Sequence, residues 1–436
     1  MNKGVHLWNE AKKIIPGGNQ LLSKRSEMFL PEGWPSYYKK AKGVAVWDLD
    51  DRKLIDMSIM GIGTCVLGYA DDAVNAAVKE AVDDGNMCTL NCYEEVELAR
   101  KLIQLHPWAE MARFARTGGE ACTIAVRIGR AAAKKNKVAF CGYHGWSDWY
   151  LSANLQSGEN LNQQLLSGLK TLGVPEELKN TSFPFHYGKI EELEKIFSEN
   201  KGEVGVVIME VQRHHDADIE FLSNVRKLAD RHQCVLIYDE VTSGFRLRAG
   251  GMHVLYGLEP DIVVLGKAMG NGYPISAILG KARVMQAAQE TFISSSYWTE
   301  RVGFVAALEV IKKFENENVH GHLNTLGLYT KKKLQNLFKE KHLDVDVVGL
   351  PPIPIMVIND QNSLKIKTLM TQEMLKKGYL ASNLIFLSFA HNVAIVDEYI
   401  KAFGESLDVI VEGLKNNDLD RRLEGPVCHA GFQRLN

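Results

Sequence analysis

Short, continuously apolar runs, separated by longer stretches with apolar residues every three or four positions, dominate the middle of the chain. The clearest run is Val204-Gly205-Val206-Val207-Ile208-Met209, which is too short for a core helix and lacks the polar/apolar alternation of a half-exposed strand. Runs of this kind mark strands buried on both faces, as in parallel sheets. Strands are predicted at 113–115, 138–141, 204–209, 235–238, 262–265 and 275–279, with helices at 123–134 and 221–232. Strands alternating with helices are the signature of βαβ units.

From about Thr299 the texture changes. Long amphipathic patterns at 301–314 and 326–339 are followed by an apolar segment at 345–358 and a helix near 396–414. The predicted fold class is α/β: a large domain over 61–315 with a mostly parallel central sheet, and a smaller α+β domain over 316–436. The N-terminal segment 1–60 is expected to pack with the smaller domain. Pro351-Pro352-Ile353-Pro354 is the richest turn, and no internal repeat or low-complexity stretch interrupts the pattern.

Composition narrows the function classes. Hydrophobic residues make up 46% and charged residues 24%, the balance of a soluble globular chain, and no apolar run approaches the ~18 residues of a membrane helix. The start, Met1-Asn2-Lys3-Gly4-Val5-His6, lacks the apolar core of a signal peptide, so a cytoplasmic location with seven reduced cysteines is expected. A net charge of −2 speaks against nucleic acid or an anionic membrane as the main partner. No metal is expected. Cys88 and Cys92 have helix-neighbour spacing without further ligands, and Arg213-His214-His215-Asp216 reads as a polar loop.

Four motifs follow predicted strands. Arg116-Thr117-Gly118-Gly119-Glu120-Ala121 precedes a helix, where exposed amides and glycines suit an anion, although two glycines also make an ordinary turn. Cys141-Gly142-Tyr143-His144-Gly145-Trp146 offers an aromatic face to a flat ring, or an aromatic cluster at the core's edge. In Tyr238-Asp239-Glu240-Val241-Thr242, strand alternation puts Asp239 and Val241 on one face; the acid pair also suits Mg²⁺ or a structural ion pair. Lys267 ends Asp261-Ile262-Val263-Val264-Leu265-Gly266-Lys267. A P-loop is excluded, because Asp261 stands where its first glycine belongs and Ala268 follows the lysine. Taken together, a phosphate loop, a stacking aromatic, an acid and an amine at successive strand ends are what a pyridoxal phosphate site requires.

With these motifs, and with Ile15-Pro16-Gly17-Gly18, Val46-Trp47-Asp48-Leu49-Asp50, Ile55-Asp56 and Ser388-Phe389-Ala390-His391, the chain resembles the class III, fold-type I pyridoxal-phosphate aminotransferases, in the branch containing glutamate-1-semialdehyde aminomutase. The resemblance implies that Lys267 forms the Schiff base and moves the substrate proton, while Asp239 partners the ring nitrogen. It implies that Tyr143 and Val241 flank the ring and that Gly118 and Gly119 bind the phosphate. His144 and Glu210 belong to the same cofactor site. Ser296, with Thr299 as the alternative, would reach the phosphate of a second subunit, so a homodimer with a shared active site is expected.

The departures shape the substrate expectation. Gly119 stands where the family often has a hydroxyl residue, and Glu210-Val211 replaces a Glu-Pro pair. No arginine occurs between Arg301 and Arg421, so the arginine that many relatives use there for a substrate carboxylate is missing. Asn383-Leu384-Ile385-Phe386-Leu387 carries no gating acid, which argues against aminomutase activity. Lys24, Arg25 and Arg246 are candidate anion contacts with structural alternatives. The expected reaction moves an amino group from a small-molecule amino donor to a carbonyl acceptor, a precursor in cell-surface polysaccharide or secondary metabolism. The alternatives are a 1,2-aminomutase and a non-catalytic cofactor-binding scaffold.

Overall fold

The apolar runs become the strands of a seven-stranded sheet in a computed structural model that describes residues 2–212 and 216–435. In chain order the strands are β1 (Met111–Ala115), β2 (Lys137–Cys141), β3 (Ser182–Pro184), β4 (Val204–Glu210), β5 (Val235–Glu240), β6 (Ile262–Leu265) and β7 (Ser276–Gly280). Their spatial order is β1-β7-β6-β5-β4-β2-β3. β2 through β6 pair in parallel, whereas β7 runs antiparallel to both β1 and β6. All of this lies in Asp72–His320, one of two compact units.

Side chains on β4 and β5 are buried on both faces almost throughout. Helix α1 (Gly118–Ala133) covers one face, packing Ile124, Ala125 and Ile128 against Val206, Ile208, Val235, Ile237, Ile262 and Val264. The approach is close: a Cβ added at Gly129 would lie 2.8 Å from Val206 Cγ2. Glycine is what allows the helix to seat there. Helix α1 begins five residues before the predicted start. Thr117 caps it and Glu120 closes a capping box, a Thr-x-x-Glu signal already present in the sequence. Helix α2 (Ile219–Arg231) likewise starts early, because Asp218 accepts the Phe221 amide at 2.9 Å.

The second unit comprises Met1–Asp71 with Gly321–Asn436. Strands Tyr38–Lys42, Ala45–Asp48 and Lys53–Met57 pair antiparallel, and Tyr379–Ala381 joins the last of them in parallel. Asp56 organises its centre. Its carboxylate accepts hydrogen bonds from Ser58 at 2.8 Å and Tyr69 at 2.5 Å, and its carbonyl meets His391 Nε2 at 3.0 Å. The apolar segment at 345–358 divides into an antiparallel pair, Val345–Val348 and Ile355–Ile358, because Gly349 at φ 86° turns the chain ahead of Pro351 and Pro352. Among the described residues, no helix is long and apolar enough to cross a membrane.

Candidate active site

Strand periodicity separates the two acids at the end of β5. Asp239 continues the face of Val235 and Ile237 towards α1; Glu240 continues the face of Leu236 and Tyr238. Asp239 Oδ2 meets His144 Nδ1 at 2.8 Å and accepts from Cys122 Sγ at 3.2 Å, while Oδ1 accepts the Val241 amide at 3.0 Å. Burial alone would raise the Asp239 pKa. The hydrogen bond and charge of His144, with the Val241 and Cys122 donors, outweigh it and hold the carboxyl below its ordinary range. The Cys122 thiol is pushed well upward by burial and by the Asp239 charge, so it stays protonated as a donor. A carboxylate has about four acceptor positions. Among the described residues, donors take three of those of Asp239.

At the β1–α1 junction, the Thr117 hydroxyl takes the Glu120 amide at 3.3 Å, and Glu120 Oε2 returns to the Thr117 amide at 2.9 Å. The first amides of a helix have no partner within it, so those of Gly118 and Gly119 remain for an external acceptor. Gly118 touches the acid loop: a Cβ there would stand 2.7 Å from Val241 Cγ1. Tyr143, half-buried after β2, donates its amide to Glu210 Oε2 at 3.4 Å and meets Tyr150 edge-on at 5.9 Å.

Lys267 follows β6 in a short 3₁₀ turn, Lys267–Gly270, with φ at 42°. A non-glycine residue in this region costs about 1–3 kcal/mol and persists only where its surroundings enforce it. Its Nζ donates to Thr242 Oγ1 at 2.9 Å, joining the lysine turn to the loop after Asp239. The two halves of the site are therefore tied by side chains as well as by the β5–β6 ladder.

Gly118, Val241, Asp239, His144 and Lys267 thus cluster at the carboxyl ends of β1, β2, β5 and β6, with Tyr143 and Glu210 alongside. Ser296 and Thr299 do not join them. They occupy an exposed turn, Ser296–Thr299, where the Thr299 hydroxyl bonds the Ser296 carbonyl at 2.9 Å. Cys88 and Cys92 lie outside helices, so their spacing does not place them on a shared helix face. Arg213, His214 and His215 fall outside the described residues. Arg246 is buried and donates to the Thr242 carbonyl at 3.3 Å, and Arg25 donates to the Gln433 carbonyl at 3.0 Å. Cys122 and Thr242 were not singled out from the sequence. Cys122 was legible in principle, lying two positions after Glu120 of the capping box on the sheet-facing side of α1. Cys122, His144 and Asp239 offer ligand atoms within 4.8 Å of one another, and the hydrogen bonds of Cys122 and His144 to Asp239 Oδ2 account for that proximity.

A phosphate, a ring nitrogen and an aldehyde each have a complementary group here: two helix amides, a carboxylate with one acceptor position open, and an amine. The family model described as aminotransferase class-III matches residues 31–411. A 3-aminobutyryl-CoA aminotransferase of Cloacimonas acidaminovorans is 31% identical over 85% of this chain and 87% of its own. A glutamate-1-semialdehyde 2,1-aminomutase of Ignicoccus hospitalis is 30% identical over 94% and 100%. Among solved structures, the PLP internal aldimine form of the Sphingopyxis sp. MTA144 FumI protein superposes with a TM-score of 0.86 at 25% identity, covering 95% of this chain and 98% of that one. The chain belongs to the class-III aminotransferases, fold-type I enzymes that use pyridoxal phosphate to move an amino group from a donor to a carbonyl acceptor.

Proposed function

We propose that Asp239 and Lys267 are the catalytic pair, and that the acceptor is a carbonyl compound not gripped through an α-carboxylate. The observation that carries the first part is the buried Asp239 carboxylate, ionised by its neighbours and left with one acceptor position, beside the loop that also holds Lys267. Bound pyridoxal phosphate supplies an aldehyde for the amine and a ring that takes up the electron pair released at the substrate carbon. Lys267 Nζ would hold the aldehyde and, as a free amine, would take up and return the proton of the substrate carbon. Thr242 Oγ1 orients that nitrogen. Asp239, kept charged by His144 and Cys122, would hold the ring nitrogen protonated, and the Gly118 and Gly119 amides would hold the phosphate. Tyr143, whose amide is set by Glu210, and Val241 would flank the ring.

The missing arginine between Arg301 and Arg421 supports the acceptor class. A sugar or secondary-metabolite carbonyl fits, as does the β-carbon of an acyl thioester, the kind of substrate named for the Cloacimonas relative. The protein acts as a cytoplasmic homodimer in which Ser296 or Thr299, exposed on their own subunit, reach the neighbouring phosphate. The experiment is a donor and acceptor screen that follows the absorbance of the bound cofactor, with Lys267→Ala as control. Carbonyls without an α-carboxylate should turn over fastest. Faster turnover of simple 2-oxo acids would overturn the acceptor class. Isomerisation of a single substrate without any donor would favour the aminomutase reading, which the Ignicoccus relative keeps open.

A further inference from the structure

Trp146 has no role in the site as built so far, yet it stands over the end of α1. Its indole is 72% exposed, while the neighbouring Trp149 and Tyr150 are buried. Gly145 packs directly on the helix end, where an added Cβ would lie 2.9 Å from Gly119 Cα. That contact brings the next residue round, so that a Cβ built at Gly119 would lie 3.7 Å from Trp146 Cδ1 and 3.8 Å from Nε1. The polar edge of the indole therefore faces the space a side chain at Gly119 would fill, next to the two amides left without helix partners. An indole N–H can only donate, and among the described residues Nε1 has no protein acceptor.

The loop bearing Trp146 is fastened to the first turn of α1 by one hydroxyl. Thr123 Oγ1 donates to the Gly119 carbonyl at 2.9 Å, meets Ser147 Oγ at 2.6 Å and accepts from Trp149 Nε1 at 3.2 Å. One proton and two lone pairs are all a hydroxyl has, and each is used. Trp146 is thus flanked on both sides by residues pinned to the same helix turn. A donor held beside two free amides at a helix N-terminus adds to an anion site without the cost of ordering a long flexible side chain.

We propose that the Trp146 indole N–H is a third donor from its own subunit to the cofactor phosphate, recognising the phosphate monoester in the space left open by Gly119. The inference rests on the cofactor site proposed above. Its test compares pyridoxal phosphate with pyridoxal, which lacks the phosphate, by absorbance titration of the full-length protein. Trp146→Phe keeps the aromatic surface and removes the donor. It should weaken pyridoxal phosphate about tenfold or more, the worth of a hydrogen bond to a charged group, and pyridoxal less than twofold. Gly119→Ser added to Trp146→Phe puts a hydroxyl into the same space, where the built Cβ makes ordinary contacts only, and should restore most of the affinity. Equal weakening of both ligands, or no weakening of either, would overturn the proposal. If the wild-type protein itself held pyridoxal as tightly as pyridoxal phosphate, the phosphate site would fail as well, and that result appears before any variant is made.

Discussion

Asp239 and Glu240 are adjacent carboxylates at the end of one strand, both buried and each against a histidine, yet they do opposite work. Glu240 Oε1 receives His253 Nδ1 at 2.6 Å and the His253 amide at 2.9 Å; Oε2 receives the Met252 amide at 2.5 Å and Ser243 Oγ at 3.1 Å. Its four acceptor positions are full. On the opposite face Asp239 has, among the described residues, three filled and one open. His253 in turn accepts the Trp108 indole N–H at 2.8 Å and stacks on His106 at 5.5 Å, so the Glu240 side is a closed network. A buried carboxylate with spare acceptor capacity is expensive to maintain unless something else completes it. Saturation, rather than burial or charge, distinguishes the proposed catalytic acid from the one that fastens the loop after β5.

The largest effect should come from Asp239→Asn. With cofactor occupancy equalised, kcat should fall about a thousandfold, ~4 kcal/mol of barrier, because a neutral amide no longer favours the protonated ring nitrogen. Glu240→Gln should spare kcat of the folded holoenzyme within a few-fold and cost about 3 kcal/mol of stability in denaturant titration, as expected when one partner of a buried pair is removed. Exchanged outcomes for these two variants would erase the distinction.

A comparable stability term should depend on pH. Burial pushes the His106 pKa down to about 4, with the charge of Arg248 adding to the effect. The unfolded chain takes up this proton near pH 6.5 and the folded chain only near 4. The contribution is therefore complete above 6.5 and lost as pH falls to 4, about 3 kcal/mol in all. Asp239 and Glu240, both held below the ordinary carboxylate range, lose theirs only at lower pH. Thermal melts between pH 4.5 and 7 should show the slope in wild type and a flatter one in His106→Gln. The smallest change is expected from Trp108→Phe, about 1 kcal/mol for the single hydrogen bond to His253. A melting temperature equal to wild type would show that this outer bond does not support Glu240.

The sequence exposed the strands well because two-sided burial leaves an uninterrupted apolar word, as at Ile262–Leu265, where prediction and structure coincide. It was less informative where polar residues continue a strand. β4 and β5 run on through Glu210 and Asp239-Glu240, which a hydrophobic criterion cuts off. The edge strand Ser182–Pro184 was missed because three residues with a terminal proline carry no pattern. In the candidate site, Lys267 and Asp239 could be named from motif and position. Cys122 could be placed only on the sheet-facing side of α1, its bond to Asp239 appearing once α1 lies on β5, and Thr242 could not be named, since a threonine after an acid acquires meaning only when the β6 turn reaches the acid loop. Periodicity likewise separates Asp239 from Glu240 by face but says nothing about which of them has its acceptors filled.

The strand order also dictates when this site can come into being. β1, which delivers the Gly118–Gly119 turn, is synthesised first among the seven strands, but its one partner in the sheet is β7, the last. Ala115 stays without its ladder neighbour Ser276 until the chain has passed Lys267 and returned antiparallel between β1 and β6. Closing so long a loop is slow and rewards the chain only at the end. A nascent chain halted before Ser276 would already contain Asp239 and Lys267 and could lay α1 on β4–β6, but would lack the ladder that holds β1, and with it the start of the Gly118–Gly119 turn, in register. Cofactor capture should therefore be the last event of assembly, a seal on a finished domain and not a template for an unfinished one.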